Sequence, residues 1–340
     1  MILQLIIGKA SCDHRQVLLK DLYETLEKQP SDQFYYIVPN HIKFESEVAT
    51  LENLARQTGA VDQYAQSQVQ VFSFPRLAWY FMKNTPYYQI PRISSAGLNM
   101  IVYQSIVDHA DDLVLFKGEA TRPGFISKLA NQLSELKIGR VTDEDLQQVA
   151  GQVTGQSADL DAKLHDLTIV YQAFDAAMRD KYIENTDILN ALADFLKSAD
   201  LSQAHFYIDG FSQFSAQEIK LLQQMMWSAA SLEVSLVLDQ PAIREDGHGQ
   251  GLFFQSKKTY HQLVGLARAE QVQVMTDKVA KISRICPDLQ QVENYWIASS
   301  NSQKIAPAVP FESSSSIEIV QANNRYSEVA QIAAEIRRLV

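Results

Sequence analysis

The stretch Gly8–Arg15 has the spacing of a phosphate-binding loop but lacks most of its chemistry. Such a loop reads Gly-x-x-x-x-Gly-Lys-Ser/Thr: the glycines let backbone N–H groups surround phosphates, the lysine adds charge and the hydroxyl holds Mg²⁺. Here Gly8 keeps the first position, whereas Asp13, His14 and Arg15 occupy the last three. A carboxylate repels triphosphate, and a neutral histidine supplies little charge. The stretch therefore predicts a nucleotide-type loop that does not hydrolyse nucleotide, or an ordinary turn between a strand and a helix.

Two acids stand at the ends of apolar runs. Asp209 follows His205–Ile208, and Asp239 follows Leu232–Leu238. In nucleotide hydrolases such an acid holds Mg²⁺ and is usually followed by a glutamate that activates water, but Gly210 follows here. Aspartate also caps turns well, and without a phosphate loop we favour that role over metal binding. We predict no metal site and no catalytic residue, and a degenerate nucleotide site made of Gly8, Ser11, Asp13, His14, Arg15 and Asp209.

The segments around the loop alternate between strand and helix patterns. Ile2–Gly8 is a short apolar run ending in glycine, which is typical of a buried parallel strand. Apolar residues at helical spacing predict a helix over 13–28. Further strands are predicted at 34–38, 69–72, 205–209 and 232–239, each followed by a helix; one of these helices has Phe44, Val48, Leu51 and Leu54 at helical spacing, one has Pro75 in its first turn, and one opens with the capping box Ser215–Glu218. This alternation predicts a parallel sheet.

The texture changes between 93 and 200, where strand-like runs disappear. Helices are predicted at 95–108, 124–138, 143–150, 160–182 and 186–197. His165 is expected to pack or cap rather than bind metal, because no second ligand lies four residues on. A helical insertion between the third strand and the acid-ended strand is the layout of a helicase motor's first domain. The predicted fold class is therefore α/β: a RecA-like sheet, of the type found in phosphate-loop hydrolases and UvrD-like helicases, with an all-helical insertion.

The last hundred residues carry weaker signals. Residues 241–251 are rich in glycine and predicted to be a mobile loop, and the stretch 270–305 has little pattern. Residues 306–316, with two prolines and four serines in a row, resemble a linker. A strand is predicted at 317–321 and a helix at 325–340. We interpret this as the start of another domain and expect the chain to be part of a longer protein.

Composition sets broad limits on function. The chain has 340 residues, a hydrophobic fraction of 46% and a net charge of −10. That suits a globular protein with two or more domains, and gives no support for non-specific binding to nucleic acid, although a local basic channel remains compatible with it. Two cysteines, Cys12 and Cys286, predict neither a disulfide framework nor a metal site. With neither a leader nor an apolar run of membrane length, the expected compartment is the cytoplasm.

Several stretches, taken in order along the chain, resemble the AddB/RexB family. They are Gln70–Trp79, Lys163–Leu167, Tyr207–Glu218, and Gln321–Arg325 with Glu328. Each motif alone is modest, but together they are specific and cover essentially the whole chain. The family's members are the B subunits of a two-subunit ATP-dependent helicase–nuclease that resects double-strand breaks for recombination.

The resemblance implies a function for the chain. The B subunit scans the emerging 3′-ended single strand for the hotspot sequence Chi, while its partner, the A subunit (AddA/RexA), carries the working motor. The expected partners are therefore single-stranded DNA and the A subunit, in a heterodimer, and no membrane. In the full-length family a C-terminal nuclease domain holds Mg²⁺ and an iron–sulfur cluster; these would lie beyond Val340, so no cofactor is expected in this chain. Some relatives bind ATP, which the departures at Asp13, His14 and Arg15 put in doubt here.

The resemblance also implies a division into domains. Residues 1–92 and 201–305 would form the first RecA-like domain, 93–200 its helical insertion, 306–316 a linker and 317–340 the start of a second RecA-like domain.

The residues that would contact DNA follow from matching positions. Relatives read Pro-Asp-Gln-x-Thr-Phe after the second strand, whereas this chain reads Pro39–Phe44, so that His41 and Lys43 replace the glutamine and threonine. Aromatic residues stack on unpaired bases, and arginine pairs with a guanine edge or a phosphate. The alternative for the aromatic residues is an ordinary place in the core. The predicted DNA-binding residues are His41, Lys43, Phe74, Arg76, Trp79 and Phe211.

Two other functions stay open from the sequence. One is a live ATP-binding and hydrolysing domain with an atypical loop, which Mg-ATP would stabilise. The other is a purely structural partner that braces the A subunit without touching DNA.

Overall fold

The computed structural model describes residues 1–59, 66–153, 157–179, 181–182, 188–241, 251–300 and 316–339. Seven strands within these ranges form one sheet. They are β1 (Ile2–Gly8), β2 (Gln33–Ile37), β3 (Val69–Phe72), β4 (Ala204–Ile208), β5 (Ser231–Val237), β6 (Gln273–Val274) and β7 (Lys278–Val279). The helices are α1 (His14–Lys28), α2 (Lys43–Thr58), α3 (Phe74–Met82), α4 (Ser95–Asp108), α5 (Pro123–Ile138), α6 (Asp143–Val153), α7 (Ala158–Met178), α8 (Ile188–Leu196), α9 (Ala216–Ser228), α10 (Phe254–Ala269), α11 (Pro287–Ser300) and α12 (Arg325–Leu339).

The strand order is β3-β2-β4-β5-β1-β6, and β7 also pairs with β1. Every pairing between these named strands is parallel, with Leu5 of β1 opposite Val234 of β5 and Tyr36 of β2 opposite Tyr207 of β4. Parallel strands place their carboxyl ends at one edge, so the residues that follow β1 to β5 all emerge on the same side of the sheet. The predicted parallel α/β architecture is confirmed, and the sheet is compatible with a RecA-like fold.

Helices cover both faces of the sheet, which explains why its strands are apolar on both sides. On one face, Phe34 and Tyr36 of β2 pack with leucines of α1 and α2. On the other, Tyr35 and Ile37 pack with α3, α8, α9 and α10. Successive side chains of a strand alternate between the faces, so one run of apolar residues supplies both layers.

Helices α4 to α7 share a core of their own, built from residues such as Val102, Leu133, Val170 and Phe174. Helix α8 instead packs into the core of the sheet, next to α3 and α9. The helical texture predicted for this region therefore holds in its described residues. The division of the chain into domains stays a prediction.

The family-like stretch around Asp166 has a structural role. The buried Asp166 carboxylate on α7 accepts hydrogen bonds from three consecutive backbone N–H groups at 2.6–2.9 Å, those of Val114, Leu115 and Phe116. Burial alone raises the pKa of Asp166, but these donors outweigh it and hold that pKa below its usual value. His165 lies 3.1 Å from the same carboxylate, which is the capping role expected for it.

Three sequence predictions about elements were wrong or incomplete. Residues 317–321 form no strand and are largely exposed, because no other strand of the described residues lies beside them to accept its hydrogen bonds. The stretch after 270 holds β6, β7 and α11, which the sequence pattern had not indicated. On α2 the apolar Phe44 and Val48 are exposed. The predicted loop at 241–251 and linker at 306–316 lie almost wholly outside the described residues.

Candidate nucleic-acid interface beside a filled loop

The Gly8–Arg15 loop is closed by its own side chains. It joins the end of β1 to the start of α1, where Asp13 accepts a hydrogen bond from the Gln16 backbone N–H at 3.0 Å and caps the helix. The buried His14 ring turns into the loop, with its two nitrogens 3.1 Å from the carbonyl oxygen of Gly8 and 3.0 Å from that of Cys12. A Cβ at Gly8 would come within 3.0 Å of that ring. Histidine thus fills the hollow that phosphate-binding loops leave for their ligand.

The hydroxyl of the loop is also engaged. Ser11 is buried, and both its backbone N–H and its hydroxyl donate to the carboxylate of Glu293 on α11. The two polar groups of the loop best suited to bind an anion therefore already bind one that belongs to the protein.

Asp209, the acid after β4, is saturated by protein partners. Arg15 Nε lies 3.3 Å from Asp209 Oδ2, and the Tyr36 hydroxyl donates to the same oxygen at 2.8 Å. The Ser235 hydroxyl donates to Oδ1 at 2.8 Å. Burial, and then Asp209, raises the pKa of Tyr36 well above its usual value, which keeps its hydroxyl a donor. The arrangement holds Asp209 as the acceptor of a buried network.

Helix α2 turns polar side chains inward because of this network. The Arg15 guanidinium also donates to the Ser46 hydroxyl at 3.2 Å. Ser46 and Thr50 are therefore buried, while the apolar Phe44 and Val48 face outward. Among the described residues, no group of three or more His, Cys, Asp or Glu side chains is placed to bind a metal ion.

The loops after β2, β3 and β4 pack together at the same edge of the sheet. The Ser73 hydroxyl donates to Asn40 Oδ1 at 3.1 Å, which joins the loops after β3 and β2. Gly210 has φ +79°, and a Cβ there would lie 3.1 Å from Ile42, so glycine lets the loop after β4 approach the loop after β2. The sheet thus brings three of the sequence segments with predicted DNA-binding residues to one place.

An open groove lies beside these loops. Its cavity of about 460 Å³ is lined by Asn40, Ser73, Pro75, Arg76, Trp79, Tyr88, Arg92 and Ile188. The exposed Arg76 guanidinium lies 4.0 Å from the centre of the Trp79 ring, and the exposed Arg92 guanidinium lies 5.1 Å from the centre of the Tyr88 ring. The amino group of Lys83 lies 5.0 Å from the same tryptophan ring. Two cation–aromatic pairs therefore line one groove, a combination suited to stacking bases beside a phosphate chain.

The predicted DNA-binding residues do not all reach this groove. Arg76 and Trp79 line it. Phe74 is 2% exposed, and its ring lies 5.1 Å from that of the half-buried Phe211, so these two rings hold the loop against the core. His41 is exposed on the neighbouring loop, and Lys43 pairs with Glu47 at 3.0 Å.

Three further residues escaped the sequence reasoning. Tyr88 and Arg92 lie beyond the recognised stretch, in a segment whose only signal was its tyrosines and its arginine. Phe44 was counted as part of an apolar stripe but is 80% exposed beside Lys43. Its place next to the two substituted positions of a DNA-reading loop was the available clue.

These features define a mostly parallel α/β protein whose strand-to-helix loop is filled by protein groups and whose sheet edge carries a cationic, aromatic groove. The family model described as "ADDB, N-terminal" matches residues 5–293, and the chain belongs to that family. The resemblance inferred from the sequence motifs is confirmed.

Similar proteins carry one name, the B subunit of an ATP-dependent helicase/deoxyribonuclease. The chain is 50% identical over 342 residues to the protein of that name from Levilactobacillus brevis, 45% to that from Latilactobacillus sakei and 41% to that from Lactiplantibacillus plantarum. Each match covers 100% of this chain and 28% of the relative. The chain therefore spans little more than a quarter of the length of these relatives. None of its described helices has the length and apolar character needed to cross a bilayer.

Proposed function

We propose that the chain is the N-terminal, helicase-like part of the B subunit of an ATP-dependent helicase–exonuclease that processes DNA double-strand breaks for recombinational repair. Its role is to bind the 3′-ended single strand and scan it for Chi, without motor activity of its own, beside an A subunit that carries the motor. The names of the relatives and the family match support the general role. The order of the strands supports a RecA-like class, since one strand separates the strand before the loop from the strand before Asp209.

The groove is the observation that carries the DNA-binding role. Arg76 and Trp79 stand three residues apart on α3 and so share one face of that helix. Both are accessible, and arginine, lysine and aromatic side chains meet there in a protein whose net charge is −10. A local cationic groove on an acidic protein favours one path for DNA over non-specific adsorption to the whole surface.

The filled loop supports the absence of a motor. Phosphoryl transfer depends on groups that position the nucleotide and its metal. Here His14 occupies the loop, and Asp209 binds Arg15 and two hydroxyls. Neither group is left to hold a triphosphate or Mg²⁺.

Binding of single-stranded DNA by the subunit in its complex tests the proposal. Arg76→Ala and Trp79→Ala should each raise the Kd for a labelled oligonucleotide roughly 5- to 100-fold, since one stacked base contributes about 1–3 kcal/mol. Arg76→Ala should also reduce the slope of log Kd against log salt by about 0.7. Arg56→Ala, an exposed arginine at the far end of α2, is the matched control. Unchanged affinity in both groove variants would show that the site is misplaced.

Two measurements separate this function from its alternatives. A live nucleotide site would raise the melting temperature in Mg-ATP, because a ligand at one hundred times its Kd adds about 2.7 kcal/mol of stability. A purely structural partner of the A subunit would give no DNA crosslinks at residues 39–44 and 72–79. The proposed function expects no shift with Mg-ATP and crosslinks in both segments.

A further inference from the structure

Helix α11 places a carboxylate on the Gly8–Arg15 loop. Glu293 Oε1 accepts the Ser11 backbone N–H at 3.0 Å, and Oε2 accepts the Ser11 hydroxyl at 2.5 Å. The next residue, Asn294, accepts a hydrogen bond from Lys9 Nζ at 2.6 Å. Two donors converging on one carboxylate is the pattern by which such loops grip a phosphate oxygen pair.

The surroundings of this contact are rich in cationic groups. A cavity of about 280 Å³ beside it is lined by Lys9 and Lys281, with Asp239 and Glu293 as the opposing acids. Arg284 donates its guanidinium to the carbonyl oxygen of Ala10 at 3.1 Å. Without Glu293, the two Ser11 donors would face two lysines and one aspartate, a setting that attracts an anion.

Helix α11 is attached to the body mainly through such polar contacts. None of its side chains is buried, and Trp296 is 65% exposed. Under the helix lies a cavity of about 530 Å³, lined mostly by apolar side chains that include Val237, Phe253 and Leu289. A helix seated over a cavity buries little apolar surface, so withdrawing it from the loop costs little hydrophobic stabilisation.

We propose that Glu293 is an intramolecular ligand that keeps the Gly8–Arg15 loop closed, and that the loop binds a phosphate group when Glu293 withdraws. The loop is then a masked oxyanion site and α11 is the element that masks it. This inference does not rest on the DNA-binding groove, which lies at the ends of β2 and β3 and shares none of these residues.

Titration of the protein with inorganic pyrophosphate by calorimetry tests the proposal. Glu293→Ala and the isosteric Glu293→Gln should each bind pyrophosphate at least tenfold more tightly than the wild-type chain. Asn294→Ala, the neighbouring change on the same helix, leaves the carboxylate in place and should show less than half of that gain. Ser11→Ala combined with Glu293→Ala should lose most of it, because the hydroxyl donor is gone.

The source of the phosphate group is resolved by a parallel titration with ADP. Tighter binding of ADP than of pyrophosphate would assign the masked site to a nucleotide, and equal binding to free phosphates. The proposal fails if folded Glu293→Ala or Glu293→Gln binds pyrophosphate no better than wild type, or if wild type already binds it as well as they do. Glu293 is only half-buried, so Glu293→Gln keeps the fold if the alanine variant does not. Loss of DNA binding in the groove variants would leave these outcomes unchanged.

Discussion

The same edge of one parallel sheet carries two regions with opposite character. Where β1 and β4 end, every polar group that could meet a ligand meets the protein: His14 lies in the loop, Ser11 binds Glu293 and Asp209 binds Arg15. Where β2 and β3 end, a groove stays open, and its arginines lie over aromatic rings with their charges facing solvent.

The difference teaches how a sheet edge can keep its frame while its chemistry changes. The geometry of strand, turn and helix is retained here, since the closed loop still begins at Gly8 and α1 still begins at His14. What decides between a closed and an open region is whether neighbouring elements supply groups that satisfy the polar atoms of the loop. Four changes to the molecule would break or sharpen this contrast.

The largest effect is expected from Phe74, which separates support of the groove from its surface. Phe74→Ala empties a fully packed position against Phe211, and should lower the free energy of unfolding by about 3–5 kcal/mol. Trp79→Ala, at the half-buried rim of the same helix, should cost about 1 kcal/mol or less. Urea denaturation followed by circular dichroism measures both. Equal losses in the two variants would contradict the placement of Phe74 beneath the groove.

Asp209 gives the next largest effect and tests the closed region. Asp209→Ala leaves Arg15 without its ion-pair partner and strands the hydroxyls of Tyr36 and Ser235, so we expect a loss of about 3 kcal/mol in stability. The matched control is Asp239→Ala, an acid that follows β5 but is less buried, with an expected loss under about 0.5 kcal/mol. A destabilisation no greater than that of the control would mean that the network contributes nothing.

The strands and most helices were predictable because their signals are local. Period-two and period-3.6 apolar patterns are written in adjacent residues, and the capping box Ser215–Glu218 fixed the start of α9. The structure added α11, whose side chains are all at least partly exposed and therefore leave no apolar stripe. It also added β6 and β7, which are two residues long and too short for any period.

The contents of the closed loop were beyond local reasoning. The missing glycine, lysine and hydroxyl could be read directly from Asp13, His14 and Arg15. The group that replaces the ligand could not, because Glu293 lies 282 residues away from Ser11 and nothing in its own neighbourhood marks it. The inward Ser46 of α2 is a similar case, since its burial depends on Arg15 from another helix.

The groove itself offers the third comparison, between its two cation–aromatic pairs. Tyr88→Ala and Arg92→Ala should each weaken binding of single-stranded DNA by about 1–2 kcal/mol, as a second stacking position beside Trp79. Tyr88→Phe keeps the ring and should bind within about twofold of wild type, which distinguishes stacking from hydrogen bonding by the hydroxyl. Fluorescence anisotropy with a labelled oligonucleotide measures all three. If only Arg76 and Trp79 matter, the groove has one stacking position and the second pair is a surface contact.

The smallest effect concerns Glu233, a buried acid of β5 under α1, in the closed half of the molecule. Burial, and then the nearby Asp21 carboxylate, raises the pKa of Glu233 to about 8, although Lys278 acts in the opposite direction. The folded protein therefore binds an extra proton between the unfolded pKa, near 4.5, and about 8. Its stability should fall as pH rises through that window, by at least about 1 kcal/mol between pH 5 and pH 8.5.

Glu233→Gln isolates that contribution. The amide has the shape of the protonated acid, so the variant should match wild type near pH 5 and exceed it at pH 8.5. Glu24→Gln on the exposed side of α1 is the matched control and should follow the wild-type curve. Free energies of unfolding from urea titrations across this pH range provide the measurement. Superimposable curves for wild type and Glu233→Gln would show that Glu233 keeps its charge in the folded protein, and that the closed half tolerates an acid within its core.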